Sequence, residues 1–285
     1  QRDRISDRVK LASRVSYAQF RAQYLQDQRG GTALDNYEDD REHLVQLNST
    51  ARIEESQAQR TTLGVDGLWQ RLDSARLEAR GQRGRLGVFA QHAWLVFQQG
   101  DREFEVVPGV RVDADSQFGA RVSPKLALRY RPLASVELRA SYGRGFRAPT
   151  FQELLLRFEN PSVGYVVHGN PELGPETSQG FDVGARWFNE RTELSLTFFR
   201  NDLENMIATV TLPQGMGAAT GLTQYTYENL QHAWTMGIES SASVRVRDEL
   251  SLSLGYTWLD GWDGEHERKL QGRATHRIAA SARVT

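Results

Sequence analysis

The side chains best suited to chemistry in this sequence are arginines and one histidine between residues 129 and 168. Guanidinium groups keep their charge at physiological pH and attract anionic ligands when several converge. A neutral imidazole is a competent ligand for iron. The candidate ligand-binding residues are therefore Arg144, Arg147, Arg157 and His168. The alternative is that these charges pair with acidic side chains of the protein itself and bind no ligand.

No catalytic pattern accompanies these residues. The sequence lacks a G-x-S-x-G nucleophile motif, an H-E-x-x-H zinc motif and a phosphate-binding glycine loop. It has no cysteine, and its other histidines show no metal-ligand spacing. The net charge of -1 argues against a nucleic-acid partner. We therefore predict a protein that is not an enzyme and that needs neither a metal site nor a cofactor.

The elements around these residues alternate apolar and polar side chains with the period of a β-strand. In the second such segment, Val136, Leu138 and Tyr142 share one face, and Glu137 and Arg139 share the other. A soluble β-sandwich has the same alternation. A transmembrane β-barrel is favoured by aromatic residues near strand ends on the apolar face. The clearest alternating segments are residues 125–131, 136–142, 193–198 and 250–258, and the aromatic residues are Tyr130, Tyr142, Trp187, Phe198 and Trp258.

Connections between these segments alternate in length, as they do in outer-membrane barrels. Short turns are expected near residues 99–101, 131–134, 188–191 and 247–249, on the periplasmic side. Long extracellular loops are expected at residues 28–41, about 70–84, 146–176, about 204–225 and about 261–268. This spacing predicts about twelve antiparallel strands. We also expect residues 121–131 and 135–145 to pair, with Leu126, Leu128, Val136 and Leu138 facing outward.

Two phrases in the third long connection are specific. The first is Phe146-Arg147-Ala148-Pro149 with Glu153-Leu154 behind it, and the second is Asn170-Pro171-Glu172-Leu173 followed by residues 175–178. Together they resemble the FRAP and NPEL boxes of TonB-dependent outer-membrane receptors. Flanking phrases at residues 107–113, 123–130 and 229–239 extend the resemblance over roughly residues 84 to 284. Between the boxes, Thr150 and Glu153 predict a capped helix over residues 151–157, and residues 160–167 predict a hairpin.

The resemblance implies an all-β fold, an antiparallel transmembrane β-barrel segment of about twelve strands from a larger barrel of about 22. Residues 1–285 are then part of a single barrel domain, and the plug domain and the C-terminal strands are absent from the sequence. The implied location is the outer membrane of a Gram-negative bacterium. The implied partners are TonB, reached through the missing plug and TonB box, outer-membrane lipid and a small-molecule nutrient.

The implied function is TonB-dependent active uptake of an iron chelate, which is a siderophore or haem, or of a vitamin such as cobalamin. In the haem-receptor branch a histidine between the two boxes serves as a haem ligand, which makes His168 the matching candidate. The arginines favour an anionic ferric siderophore instead. The boxes themselves are expected to organise the loop more than to touch the ligand. Two other readings remain open: a passive or adhesive outer-membrane barrel, and a soluble β-sandwich binding module.

Overall fold

The computed structural model describes residues 2–4, 6–27, 30–31, 36–213, 221–264, 267–270 and 272–284. These residues form one sixteen-stranded sheet and a single short helix. Twelve of the strands have nine or more residues, which confirms the predicted number. In chain order the elements are β1 (Arg2–Arg4), β2 (Val9–Gln26), β3 (Asn36–Glu54), β4 (Gln59–Asp73), β5 (Gly81–Gln99), β6 (Arg102–Asp115), β7 (Gly119–Leu133), β8 (Val136–Arg147), α1 (Phe151–Leu155), β9 (Arg157–Asn160), β10 (Tyr165–His168), β11 (Glu176–Phe188), β12 (Thr192–Thr211), β13 (Thr223–Arg247), β14 (Leu250–Asp263), β15 (Arg268–Lys269) and β16 (His276–Val284).

The long strands follow one another as an antiparallel meander, each paired with its neighbour in sequence. The main interruption in the described residues is the segment between β8 and β11, which pair directly while α1, β9 and β10 lie outside that order. The two-residue β15 is a second interruption, because β14 pairs with both β15 and β16. Within the described residues the sheet does not close. Only three residues of β1 cover the outer edge of β2, and β16 pairs with β14 alone.

One face of the sheet is apolar and exposed, as a lipid-facing surface requires. The predicted antiparallel pairing of residues 121–131 with 135–145 is confirmed by β7 and β8, where Leu126 lies opposite Tyr142 and Leu128 opposite Ala140. None of the four residues predicted to face outward is buried, and Leu126 and Leu138 are among the exposed large hydrophobic residues. The sheet therefore has no second sheet packed over this face, and the sandwich reading is wrong.

Aromatic side chains mark the short-turn end of the apolar face. Phe97, Phe104 and Tyr130 contact one another with ring centroids 6.1 to 6.3 Å apart, and Trp187 lies 39% exposed at the same end of β11. This placement is typical of the aromatic girdle at a membrane interface. All four predicted short turns are confirmed, at residues 100–101, 134–135, 189–191 and 248–249.

Several strands are longer at the opposite end than the sequence suggested. The predicted loop over residues 28–41 is partly strand, because β2 runs to Gln26 and β3 begins at Asn36. Likewise β12 extends to Thr211, and β13 begins at Thr223. Polar side chains on these extensions pair across the ladder, as Arg21 does with Asp39. Polarity therefore indicated exposure to water here and not the end of a strand.

Apart from Ala93, the buried apolar residues in the described part of the chain gather at this far end, at the segment between β8 and β11. Phe151, Leu154, Val166, Leu173, Leu230 and Ala233 are each at most 6% exposed. This small core fixes the segment against the ends of the neighbouring strands. The one helix in the described part of the chain has five residues and lacks the length and apolar character to cross a membrane.

Candidate functional site at the boxed loop

The boxed loop, residues 146–176, leaves the sheet at Pro149 and turns at once into α1. Pro149 is fully buried and lacks a donor for the ladder. Thr150 caps the helix: its side chain accepts from the Glu153 amide at 3.1 Å, while the Glu153 carboxylate accepts from the Thr150 amide at 2.7 Å. The predicted capping box is confirmed. The helix ends at Leu155, two residues earlier than predicted, because Leu156 is extended and β9 begins at Arg157.

Arg147 joins the two ends of the boxed loop. Its guanidinium donates to both Glu153 carboxylate oxygens at 2.9 and 3.0 Å and to both Glu176 oxygens at 2.6 and 2.8 Å. Glu176 also accepts from the Ile207 amide at 2.7 Å, which ties the loop to β12. Paired bidentate contacts of this kind fix orientation as well as distance. From the sequence, Arg147 is a candidate ligand-binding residue, with a role in organising the loop as the favoured alternative. In the structure its guanidinium makes four hydrogen bonds to the two carboxylates, and the ligand-binding role stays a prediction.

The ionisation of Glu153 reflects the same arrangement. Partial burial by itself would raise the pKa of this carboxyl. Hydrogen bonds from Arg147 and from the Thr150 amide outweigh the burial and hold the pKa below its usual range. The carboxylate is therefore charged at neutral pH, as the bridge to Arg147 requires.

The second box closes the boxed loop through backbone contacts. The Asn170 side chain donates to the Tyr227 carbonyl at 2.9 Å and accepts from the Glu172 amide at 2.9 Å. The Asn170 amide donates to the Glu153 carbonyl, so the two boxes meet directly. Leu173 is 3% exposed and belongs to the core. Gly169 passes so close to α1 that an added Cβ would lie 2.5 Å from the amide nitrogens of Leu155 and Leu156.

Two further residues hold the loop in place, and no sequence motif singled out the first. Arg83, on β5, is 8% exposed, donates to the Pro149 carbonyl and lies with its guanidinium carbon 5.2 Å from the centre of the Phe151 ring. Asn229, on β13, accepts from the Gly174 amide at 2.8 Å and donates back to the Gly174 carbonyl at 3.0 Å. Asn229 begins the flanking phrase at residues 229–239, which is the sequence signal for this contact.

Between the boxes the chain forms the hairpin arm, residues 157–168. β9 and β10 pair antiparallel, with Arg157 opposite His168, which confirms the predicted hairpin. β10 then pairs parallel with the start of β13. The rings of Phe158, Tyr165 and Tyr225 contact in sequence at 6.0 and 6.2 Å. The arm is therefore an extra piece of sheet attached to the water-exposed end of β13.

A cavity of about 390 Å³ lies between the boxed loop and the wall formed by β2, β3 and β4. Arg76 lies in the lining of this cavity. Its guanidinium pairs with Glu38, and the guanidinium carbon lies 4.8 and 4.7 Å from the ring centres of Tyr24 and Phe158. One carboxylate oxygen of Asp40 is buried and has no hydrogen-bond partner among the described residues. The cavity thus offers aromatic surface and a carboxylate in its lining. Its lining includes Phe20, Tyr24, Asp40, Gln152, Leu156 and Phe158.

The structure separates most of the candidate ligand residues. Arg157 and His168 are cross-strand neighbours in the hairpin arm, where Arg157 is exposed and pairs with Glu159 at 3.6 Å. Arg144 is exposed and, by the alternation of β8, lies on the opposite face from Arg147. No side-chain hydrogen bond or ion pair involves His168 in the described part of the chain. None of these positions has been tested for ligand contact, so their binding role stays a prediction.

The other predicted cations lie far from the boxed loop. Arg129, Arg131 and Arg139 are at the short-turn end of the inner face, where they surround Glu137, which is 4% exposed. Arg129 also pairs with Glu103 and Glu105. These arginines are therefore neutralised within the wall and do not converge on the loop. In the residues that the structure describes, no group of acidic and histidine side chains is arranged to hold a metal ion.

Comparison with known proteins identifies the family and the fold. A sequence profile described as "TonB dependent receptor-like, beta-barrel" matches residues 2–284. The vitamin B12 transporter BtuB of Vibrio vulnificus is 38% identical over 165 residues, which is 58% of this chain and 24% of that protein. The iron-regulated outer membrane virulence protein of Vibrio cholerae is 29% identical over 209 residues, 69% of this chain and 31% of that protein.

Solved structures show the same fold. The crystal structure of a ferric enterobactin receptor mutant (PfeA) from Pseudomonas aeruginosa, in complex with enterobactin, superposes with a TM-score of 0.80 over 97% of this chain and 45% of that chain, at 19% identity. The copper transporter OprC superposes with a TM-score of 0.67.

The chain belongs to the TonB-dependent receptor β-barrel family, because the family profile covers nearly all of it. Family membership and the barrel fold imply the Gram-negative outer membrane, and the similar proteins are receptors and transporters and not enzymes. The chain spans about a quarter to a third of the length of the curated relatives described above.

Proposed function

We propose that this chain forms part of the barrel wall of a receptor for TonB-dependent uptake of an iron chelate, which is a siderophore or haem, or of a vitamin such as cobalamin. The observation that carries the proposal is the cavity between the boxed loop and strands β2 to β4. It lies at the end of the sheet opposite the short turns, which is the extracellular end in this family. Solutes arriving from outside the cell reach this end first.

The composition of the cavity supports a ligand with both flat apolar and polar parts. Tyr24 and Phe158 provide aromatic rings, each with the Arg76 guanidinium against one face, and Asp40 provides a carboxylate in the lining. Aromatic catecholates, the haem macrocycle and the corrin ring of cobalamin all combine flat apolar surface with polar groups. Attraction of an anionic siderophore by the arginines has less support, since Arg147 and Arg76 are already paired with carboxylates.

The proposal includes a larger protein than this chain. The described sheet leaves two edges uncovered, and unpaired backbone groups inside lipid carry a large penalty. Further strands of the same polypeptide would pair with those edges and close a barrel of about 22 strands. A plug domain within that barrel and its contact with TonB would supply the energy for transport. Curated relatives three to four times longer than their matched segments agree with this.

The test is ligand binding by the full-length receptor, purified in detergent, with ferric catecholate and hydroxamate siderophores, haem and cobalamin measured side by side. We expect one class to bind, and we expect Phe158→Ala to weaken that binding by about tenfold or more, because it removes one wall of the cavity. The matched control is Phe104→Ala, which removes the same ring from the outer face at the short-turn end.

Two results would contradict the proposal. If none of the four ligand classes binds, the proposed uptake function is wrong. If the native receptor and the Phe158→Ala variant bind with equal affinity, the ligand does not bind in this cavity. Growth of a receptor-deleted strain on each nutrient, restored by the native gene, separates uptake from a passive or adhesive role.

A further inference from the structure

The outer face of β2 and β3 carries an unbalanced group of charges near the extracellular end. Arg21 and Arg41 lie opposite each other in the ladder, and both bind one carboxylate, Asp39. The nitrogen to oxygen distances are 2.6 Å from Arg21 and 2.7 Å from Arg41. Two cations therefore share one anion.

A second group repeats this arrangement one strand further along. Arg71, on β4, and Arg80, just before β5, both bind Asp73, at 2.8 and 2.5 Å. Arg41 is the ladder partner of Asp73, so the two groups adjoin. We call the four arginines Arg21, Arg41, Arg71 and Arg80, with their two aspartates, the outer arginine patch.

The outer arginine patch has a net positive charge. Four guanidinium groups share two carboxylates, which leaves a formal charge of +2. The arginine side chains are 36 to 58% exposed, whereas the side chains of Asp39 and Asp73 are 19 and 32% exposed. Each guanidinium has five N–H donors, and the aspartates occupy only some of them.

The height of the patch places it beside lipid headgroups. Trp69 lies on the same face of β4, two residues before Arg71, which corresponds to about 7 Å along the strand. Below it the outer face is apolar, with Leu47, Leu63 and Leu86 exposed. A tryptophan at the end of an apolar band marks the membrane interface. The arginines therefore lie just outside the apolar layer, at the level of charged headgroups.

We propose that the outer arginine patch binds phosphorylated headgroups of lipids in the outer leaflet of the outer membrane. Guanidinium groups in a fixed array bind phosphate oxygens bidentately, and each basic residue at an anionic membrane surface adds attraction. This inference rests on the outer-membrane location of the family and is independent of the imported ligand. Failure of the uptake proposal would leave it intact, because its measurement contains no nutrient.

The test uses the full-length receptor in detergent, titrated with lipid A carrying two phosphates, with lipid A from which both phosphates have been removed, and with inorganic phosphate. Binding is followed by native mass spectrometry and by the shift in melting temperature. We expect the phosphorylated lipid to bind at least about tenfold more tightly than the dephosphorylated one. Inorganic phosphate is expected to bind far more weakly than the lipid, because it lacks the acyl chains that rest on the apolar band.

The variant that removes the charge is Arg21→Gln, Arg41→Gln, Arg71→Gln and Arg80→Gln combined, and we expect it to abolish the preference for phosphorylated lipid. The matched control is Arg200→Gln, which removes an arginine from the same face of β12, where Asp202 already balances it one to one. Equal affinity of the native receptor for the two lipids overturns the proposal without any variant. If inorganic phosphate binds as tightly as the lipid, the patch is a site for free phosphate, and the proposal that it binds lipid headgroups is wrong.

Discussion

The boxed loop contains two regions that differ in how they are held. Its base comprises Arg147, Glu153, Gly169, Asn170 and Glu176, which are joined by bidentate ion pairs and backbone contacts. The hairpin arm is attached by a short ladder to β13, a row of aromatic rings, the buried side chain of Val166 and the Arg157 amide, which donates to the Arg76 carbonyl at 2.6 Å. Its Arg157 side chain is 63% exposed. The polar groups of the base form hydrogen bonds and ion pairs within the loop and with the adjacent strands. The Arg157 side chain of the arm is exposed to the surroundings.

This difference assigns separate tasks to the two regions. A base with satisfied polar groups has few donors left for a ligand, so we expect its residues to fix the conformation of the loop. The arm borders the cavity through Phe158 and carries His168 without a partner in the described residues. Discrimination between nutrients is therefore expected to reside in the arm and the cavity, and the boxes are expected to serve receptors for different nutrients alike.

Replacing Arg147 should have the largest effect. Arg147→Leu leaves the carboxylates of Glu153 and Glu176 without their cation, and their side chains are 17 and 13% exposed. We expect a loss of roughly 2 to 3 kcal/mol in the stability of the boxed loop, less than for a fully buried pair because the arginine is partly exposed. Hydrogen exchange of residues 148–176 in the full-length receptor measures it.

The control for that change lies in the arm. Arg157→Leu removes an arginine whose only ion pair, among the described residues, is the exposed one with Glu159. Exposed pairs contribute about 0 to 1 kcal/mol, so exchange in the base should change little. If both variants lost the same amount of protection from hydrogen exchange, the base and the arm would open as one unit. The proposed difference between the two regions would then be wrong.

A smaller loss is expected from Gly169→Ala. The added methyl group would meet two backbone amides of the base at 2.5 Å, and the backbone of α1 cannot yield as a flexible side chain can. We expect a cost of about 1 to 2 kcal/mol, measured by the rate of proteolysis within residues 150–176. The control, Gly174→Ala, meets no atom closer than 3.9 Å and should leave the rate unchanged. A native rate in Gly169→Ala would show that the close approach does not constrain the loop.

Acid should loosen the base before the arm. The pKa of Glu153 is lower in the folded loop than in an unfolded chain, where it is about 4.3. The stabilisation is therefore fully present above the unfolded value and is lost as pH falls through the lower folded value. Exchange of residues 148–156, corrected for the intrinsic rate, should rise below about pH 4. Glu153→Gln should remove this pH dependence; its persistence would assign the titration to another group.

The smallest structural effect is expected from His168→Ala. The imidazole makes no hydrogen bond in the described part of the chain, so the stability of base and arm should remain close to native. Affinity for a ferric siderophore should also be almost unchanged. Loss of haem binding in this variant, measured by absorption spectroscopy, would instead make His168 an axial ligand, because a methyl group cannot coordinate iron.

The sequence predicted the parts of the molecule that repeat. Period-two alternation located the strands, and turn residues located the four predicted short connections, because both signals are local. The short turns at residues 55–58 and 116–118 were not predicted. The capping box at Thr150 and Glu153 is also local and was found. Strand ends beyond the membrane were placed too early, since strands in water carry polar residues on both faces and lose their contrast with loops.

The contacts of the site were less predictable, because they join residues distant in sequence. Arg83 reaches the Pro149 carbonyl across 66 positions, and nothing around Arg83 distinguishes it from other strand arginines. Arg144 and Arg147 are three residues apart on β8, so strand alternation alone places them on opposite faces. The prediction grouped them as ligand-binding candidates because it considered only their charge. The pairing of Arg147 with Glu176 depended on the return of β11 beside β8, which only the fold shows.

The length of β13 has a consequence for the surface of the cell. Its 25 residues span about 80 Å along the strand, and a tilt of about 45° leaves about 55 Å of height. An apolar band about 25 Å tall accounts for less than half of that. The wall therefore rises some 30 Å into the aqueous exterior as continuous β-sheet. An antibody raised against intact cells would bind folded β-sheet in this region. Its epitope would be conformational and would be lost when the protein is boiled.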